Sequence, residues 1–191
     1  MRYDDEVRRH RIRSGGRVLH GESYMARLMA LDVGQARIGV ALSDASGFLA
    51  SPYTTLRASH DEAQTLGAIQ RLLDETGAEG LIIGLPISLD GQIHAQGERV
   101  RNFAGRLQEY VHVPLIFWDE RFSTVEAERL LAERYQIGTE PGRRGAGKQG
   151  HNRRKAKGTQ QGIDALAAAV ILQEYLDHVS GNAKENKDKS V

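Results

Sequence analysis

Three short apolar segments follow one another near the start of this chain: RLMALDV (27–33), RIGVALSD (37–44) and GFLASPYTTL (47–56). The turns between them are too brief to hold a crossover helix, so the strands must run antiparallel, as a meander. Two further apolar runs, GLIIG (80–84) and VPLIFW (113–118), each follow a segment with helical spacing. In DEAQTLGAIQRLLDETG the stripe is Leu66, Ile69, Leu72 and Leu73, stopped by Gly77. In HAQGERVRNFAGRLQEYV it is Val100, Phe103 and Leu107. A strand reached through a helix adds in parallel by a right-handed crossover. A mixed five-stranded α/β sheet of order 3-2-1-4-5, flanked by helices, satisfies these rules. Two helices follow the last strand. STVEAERLLAERY opens with a capping box, Ser123 and Glu126, and GIDALAAAVILQEYLDHV is strongly apolar.

With 191 residues the chain suits one domain with extensions. Residues 1–26 are polar and basic and read as a disordered extension, with Met25 and Met29 as alternative starts. Residues 27–179 form the domain, and the polar tail 180–191 reads as disordered. Within the domain, 136–158 reads as a basic flexible loop, and Arg143 to Lys157 contains no acid at all. The chain has no cysteine, which excludes thiolate metal sites and a Cys nucleophile and fits a reducing cytosol. No apolar run approaches the roughly 20 residues of a membrane helix, and the N-terminus has no signal-peptide core. The expected location is therefore cytoplasmic.

The chemistry lies in the acids. Asp32 ends the first strand, central in the expected sheet, and open α/β sheets build sites outside the carboxyl ends of their strands. A turn aspartate bonding backbone near Gly34 is the plainer reading. The fifth strand ends on Asp119 and Glu120, which alternation puts on opposite faces. Asp164 opens an almost wholly apolar helix, where a buried carboxylate needs compensation. Dipole stabilisation near a helix N-terminus would also explain it. If Asp32, Glu120 and Asp164 converge, they suit a hard divalent cation such as Mg²⁺. Two such ions about 3.5–4 Å apart clamp the oxygens of a phosphodiester. Basic residues would then hold the nucleic-acid backbone: Arg143, Arg144, Lys148, Arg153, Arg154, Lys155 and Lys157 in the loop, and one of Arg37 and Arg121 beside the acids, with a structural ion pair an equal alternative for the other. His151 is the one histidine worth testing.

The stretches ALDVGQARIGVALSD, LIIGLPISLDG, FWDERFSTVEAERLL and IDALAAAVILQ, in this order and spacing, resemble the YqgF/RuvX family. That family has an RNase H-like fold and is described as pre-16S rRNA nucleases and as Holliday-junction-resolvase-like proteins. The resemblance runs from Leu28 to about His178. It implies Asp32, Glu120 and Asp164 as catalytic and metal-binding acids, Mg²⁺ or Mn²⁺ as a pair of ions, and RNA as substrate in ribosomal RNA processing. Branched DNA is the alternative substrate, and a homodimer would suit a two-fold junction. There is one departure. The wider superfamily commonly takes its second acid from the fourth strand, but GLIIG ends on Gly84. Glu120 would act from the fifth strand, two strand positions and roughly 9–10 Å from Asp32. The bare Gly84 leaves room for its arm to cross. Asp119 and Asp90 are the alternatives.

Two rivals belong to other classes. A sugar-kinase or actin-type phosphotransferase uses a similar Asp-x-Gly hairpin, but needs two such domains. A non-catalytic nucleic-acid-binding module would bind without metal through the basic loop alone.

Overall fold

The computed structural model describes residues 26–88, 90–120, 133 and 152–188, with side chains at the last helix described from 162 to 181. The strands are β1 Leu28–Val33, β2 Arg37–Ser43, β3 Ala50–Arg57, β4 Gly80–Leu85 and β5 Leu115–Asp119. The helices are α1 Glu62–Thr76, α2 Ala95–Leu107 and α3 Asn152–Asp188. The sheet order is β3-β2-β1-β4-β5. β1 pairs antiparallel with β2 and parallel with β4, and β4 pairs parallel with β5. Meander and crossovers fall where the connection lengths demand. The helix expected over 123–135 lies outside the described residues apart from Glu133, which is helical. The extension 1–25 and the basic segment up to His151 also lie outside.

The sheet separates two apolar layers. On one face Met29, Leu31, Ile38, Val40, Leu81 and Ile83 pack with Leu66, Ile69 and Leu73 of α1 and Val100, Phe103 and Leu107 of α2. On the other, Leu28, Ala30, Ala41 and Ile82 pack with Leu166, Ala169, Val170 and Leu172 of α3. β4 is covered on both sides and every residue in it is buried, so it is a continuous apolar run rather than an alternating one. α1 begins where the Asp61 side chain accepts from the Ala63 amide at 3.1 Å. It ends at Gly77, whose left-handed φ of 64° lets its N–H reach the Leu73 carbonyl at 3.0 Å.

α3 corrects two boundaries. It starts at Asn152, inside the segment expected to be loop over 136–158, and runs to Asp188, through most of the tail expected to be disordered. The packed centre of α3 supplies the nucleus. Extending it costs about 1 kcal/mol at each of Gly158 and Gly181 and little through the Arg-Lys-Ala and Ala-Lys-Glu runs, which are good helix formers, so the anchored centre can carry it outward. A polar composition that suggests disorder in isolation here continues an anchored helix.

The second acid at a strand mouth, Asp44, is a turn residue. Its Oδ1 accepts from the Phe48 and Leu49 amides at 2.8 and 2.9 Å, and Oδ2 accepts from the Ser46 hydroxyl. These bonds, the Leu49 amide foremost, pull its carboxyl down to about 2. It fixes the β2–β3 connection around Gly47, which has φ 66°. Asp44→Ala should lower stability by about 1 kcal/mol in urea unfolding, the net worth of its turn hydrogen bonds, since the freed amides are exposed and can bond water. Cleavage should be unchanged, because this turn is at the opposite end of β2 from Asp32.

Candidate active site

Asp32 meets a different fate. Strand parity carries Leu28 and Ala30 onto the α3 face, and Asp32 continues that row. In β5, Ile116 and Trp118 pack toward α3 while Leu115 and Phe117 pack the other way. Alternation therefore sends Glu120 to the α3 face with Asp32, and buried Asp119 to the opposite one. Asp90 is tied up in its own loop, where Oδ1 accepts from the Gln92 amide at 2.9 Å.

The third acid is brought in by two glycine contacts. Gly39 lies opposite Asp32 in the β1–β2 ladder. A Cβ on Gly39 would overlap the backbone oxygen of Asp164 and come within 3.2 Å of the Ala165 nitrogen. The bare glycine lets α3 touch the sheet beside Asp32. On the other flank, a Cβ on Gly84 would collide with the Glu120 carboxylate and come within 2.6 Å of Ile171 Cδ1. The space that Gly84 leaves is thus occupied by Glu120 itself, whose arm crosses β4 toward Asp32. Gly34 serves the β1–β2 turn, donating to the Arg37 carbonyl at 2.9 Å.

Electrostatics report the same convergence. Burial, and then the charge of Asp164, hold the Asp32 carboxyl above its ordinary value. Burial pushes the Glu120 carboxyl up to about 7, with repulsion from Asp32, Asp119 and Glu174 adding to it. A turn aspartate would be pulled down, as Asp44 is. Glu174 on α3 is a member of this group to which the sequence does not point. Its place beside Glu120 depends on α3 packing against β5, where Trp118 Nε1 donates to it at 3.4 Å. No local pattern announces that contact.

Asp164 is bound by Arg37, whose Nε donates to Asp164 Oδ2. It lies twelve residues beyond the start of α3, so the helix terminus does not stabilise it. Arg37 is therefore an ion-pair partner in this structure. Among the described residues, no three acidic, His or Cys side chains form a ready-made metal cage. Of the other basic residues that the sequence suggests, Arg153, Arg154, Lys155 and Lys157 fall on the first turns of α3, where only the backbone is described. Arg121, Arg143, Arg144 and Lys148 lie outside the described residues. No described helix is long and apolar enough to cross a membrane.

A five-stranded sheet of this order, with acids gathered at the mouth of its central strand, has the RNase H-like architecture, and its family relationships give the class: a nuclease, hydrolysing phosphodiester bonds. Within that class the chain belongs to the RuvX family, whose model, described as Holliday junction resolvase, matches residues 26–178. A relative in Moorella thermoacetica is 42% identical over 156 residues, covering 82% of this chain and 98% of that protein. One in Thermoanaerobacter pseudethanolicus is 39% identical over 151 residues, covering 79% and 96%. Both are named for pre-16S rRNA nuclease activity. Among solved structures, Thermus thermophilus RuvC matches with TM-score 0.47 and 13% identity over 81% of this chain and 96% of that one, too distant to carry any argument.

Proposed function

We propose that this protein is a metal-dependent ribonuclease of ribosomal RNA maturation, working in the cytosol with Asp32, Glu120 and Asp164 as its metal ligands. The observation that carries the reading is geometric: the Glu120 carboxylate lies over Gly84 and Asp164 against Gly39, the ladder partner of Asp32, so three acids meet at one sheet end, where burial and the neighbouring acids push the Glu120 carboxyl up to about 7. Two acids forced together in a largely buried place form an anionic site that a cation would relieve. The donor set is oxygen only, which fits Mg²⁺ or Mn²⁺ rather than a soft metal. A pair of these ions supplies the positive charge that activates water and stabilises the leaving oxygen of a phosphodiester.

The protein's own groups do the rest. Asp32 and Glu120 project from β1 and β5 onto one face, and Asp164 closes that face from α3. Arg37 neutralises Asp164 and becomes available to a substrate phosphate when a cation takes its place. Arg121 and the basic residues from Arg143 to Lys157 grip the backbone. RNA is favoured by the names of the relatives. Branched DNA, cut by a dimer, is the second reading, and the description of the family model favours it.

A substrate panel tests both. Single-stranded RNA, a precursor ribosomal RNA fragment and a four-way DNA junction are incubated with Mg²⁺ or Mn²⁺, with Asp32→Asn as the control for contaminating nuclease. Metal-dependent cutting of the RNA by wild type alone is expected. Cutting of the junction alone would move the assignment to DNA. Binding without cutting by either protein would leave a nucleic-acid-binding module.

A further inference from the structure

A cavity of about 460 Å³ opens on the α1–α2 face of the sheet, behind the acidic strand mouth. Its floor includes Val33, Ile38 and Phe103, and Gln35, Gln96, Arg99 and Asn102 line it as well. We propose that this cleft holds an unpaired nucleotide of the substrate strand adjacent to the bond that is cut. The occupant rests on the nuclease reading above; the cleft itself does not.

The position comes first. Val33 follows Asp32 on β1, and alternation points the two side chains to opposite faces. The acids and the cleft are therefore two sides of one strand end, separated by the short turn at Gly34, Gln35 and Ala36. A strand leaving the acids over this turn arrives at the cleft.

The chemistry comes second. A nucleobase has an apolar face and an edge of hydrogen-bond donors and acceptors. The cleft offers an apolar floor with three carboxamides around it, and Asn and Gln are the side chains that pair with a base edge in two places at once. Among the described residues, the side chains of Gln35, Gln96 and Asn102 make no hydrogen bond. Arg99 has no carboxylate partner there, only a bond from its Nε to the Ala95 carbonyl at 3.2 Å. The other arginine lining the cleft is differently placed. Arg106 donates to both oxygens of Glu62, at 2.5 and 2.7 Å, which ties α2 to the start of α1 and fixes the width between them. One uncommitted cation beside three amides suits one phosphate and one base. A paired base cannot enter such a recess, so the cleft selects single strands.

The test is binding in EDTA, where nothing is cut, so it reads the cleft whether or not Asp32 is catalytic. Fluorescence anisotropy would compare wild type, Arg99→Gln and Asn102→Ala. The ligands are a single-stranded RNA of about 12 nucleotides, its duplex, and adenosine monophosphate. Both residues are exposed, so both variants should fold as wild type. Each should weaken single-strand binding about fivefold to tenfold and leave duplex binding within about twofold. Arg99→Gln should also lower the slope of log affinity against log salt by about one. Single-strand affinity unchanged in both variants overturns the proposal. So does loss of adenosine monophosphate binding with oligonucleotide binding intact, which would make the cleft a site for free nucleotide.

Discussion

Glu120→Gln is expected to make the metal-free protein more stable at pH 8 and at the same time to cut its cleavage activity by orders of magnitude. The two effects have one cause. The Glu120 carboxyl is raised from 4.5 to about 7, mainly by burial and then by Asp32. Between these values the folded protein holds a proton that the unfolded chain has released. Stability must then fall as pH rises through that window, and reach its low plateau above 7. The shift corresponds to at most about 3 kcal/mol. Glutamine keeps the shape and cannot ionise, so it removes this loss. The variant should melt about 5 °C or more above wild type at pH 8 and show little difference at pH 4.5. Asp32 is raised as well, so a smaller slope of the same sign should remain. Mg²⁺ should raise the melting temperature of wild type at pH 8 and do so much less in the variant. Cleavage should drop on the order of 10²–10³-fold, the usual effect of losing one charge-stabilising group. A variant that melts below wild type at pH 8 would mean that Glu120 is a satisfied structural acid, and the metal assignment would go with it.

The parts of this site that can be read from sequence are those set by periodicity. Alternation along a strand puts Asp119 and Glu120 on opposite faces without any coordinates, but which of them shares the face of Asp32 follows only from how β1 and β5 pack against the helices. Connection lengths give the sheet order, and with it the central place of β1. What cannot be read depends on contacts between elements distant in the chain. Asp164 and its ion-pair partner Arg37 are 127 residues apart, and nothing near either residue announces their meeting. The position of Asp164 along its helix is also hidden, because the helix begins in a glycine-rich basic segment that reads as loop. Glu174 enters only through the packing of α3 on β5. Two acids at strand mouths, Asp32 and Asp44, look alike in sequence. They are told apart by what surrounds them: amide donors pull one carboxyl down, and burial beside other acids pushes the other up.

Glycine sites make the same distinction, and they supply the largest structural effect. Gly39→Ala should destabilise the protein by about 3 kcal/mol and cost about two orders of magnitude in cleavage. The added methyl would overlap the backbone oxygen of Asp164, so neither partner can relieve the clash by rotating a side chain. The sheet and α3 must separate. Apolar packing by Leu166, Ala169 and Val170 resists that movement, and Asp164 is carried away from Asp32 by the same displacement. Unfolding in urea measures the first effect and cleavage under Mg²⁺ the second. Gly105→Ala is the matched control. It lies within α2, where an added methyl would meet nothing inside 4 Å, and alanine there should add up to about 1 kcal/mol of stability with no change in rate. If Gly39→Ala melts with wild type, α3 does not rest on β2 at Asp164 and the three acids are not held on one face. If it is destabilised yet cuts at the full rate, the fold is right and Asp164 is not a working member of the site.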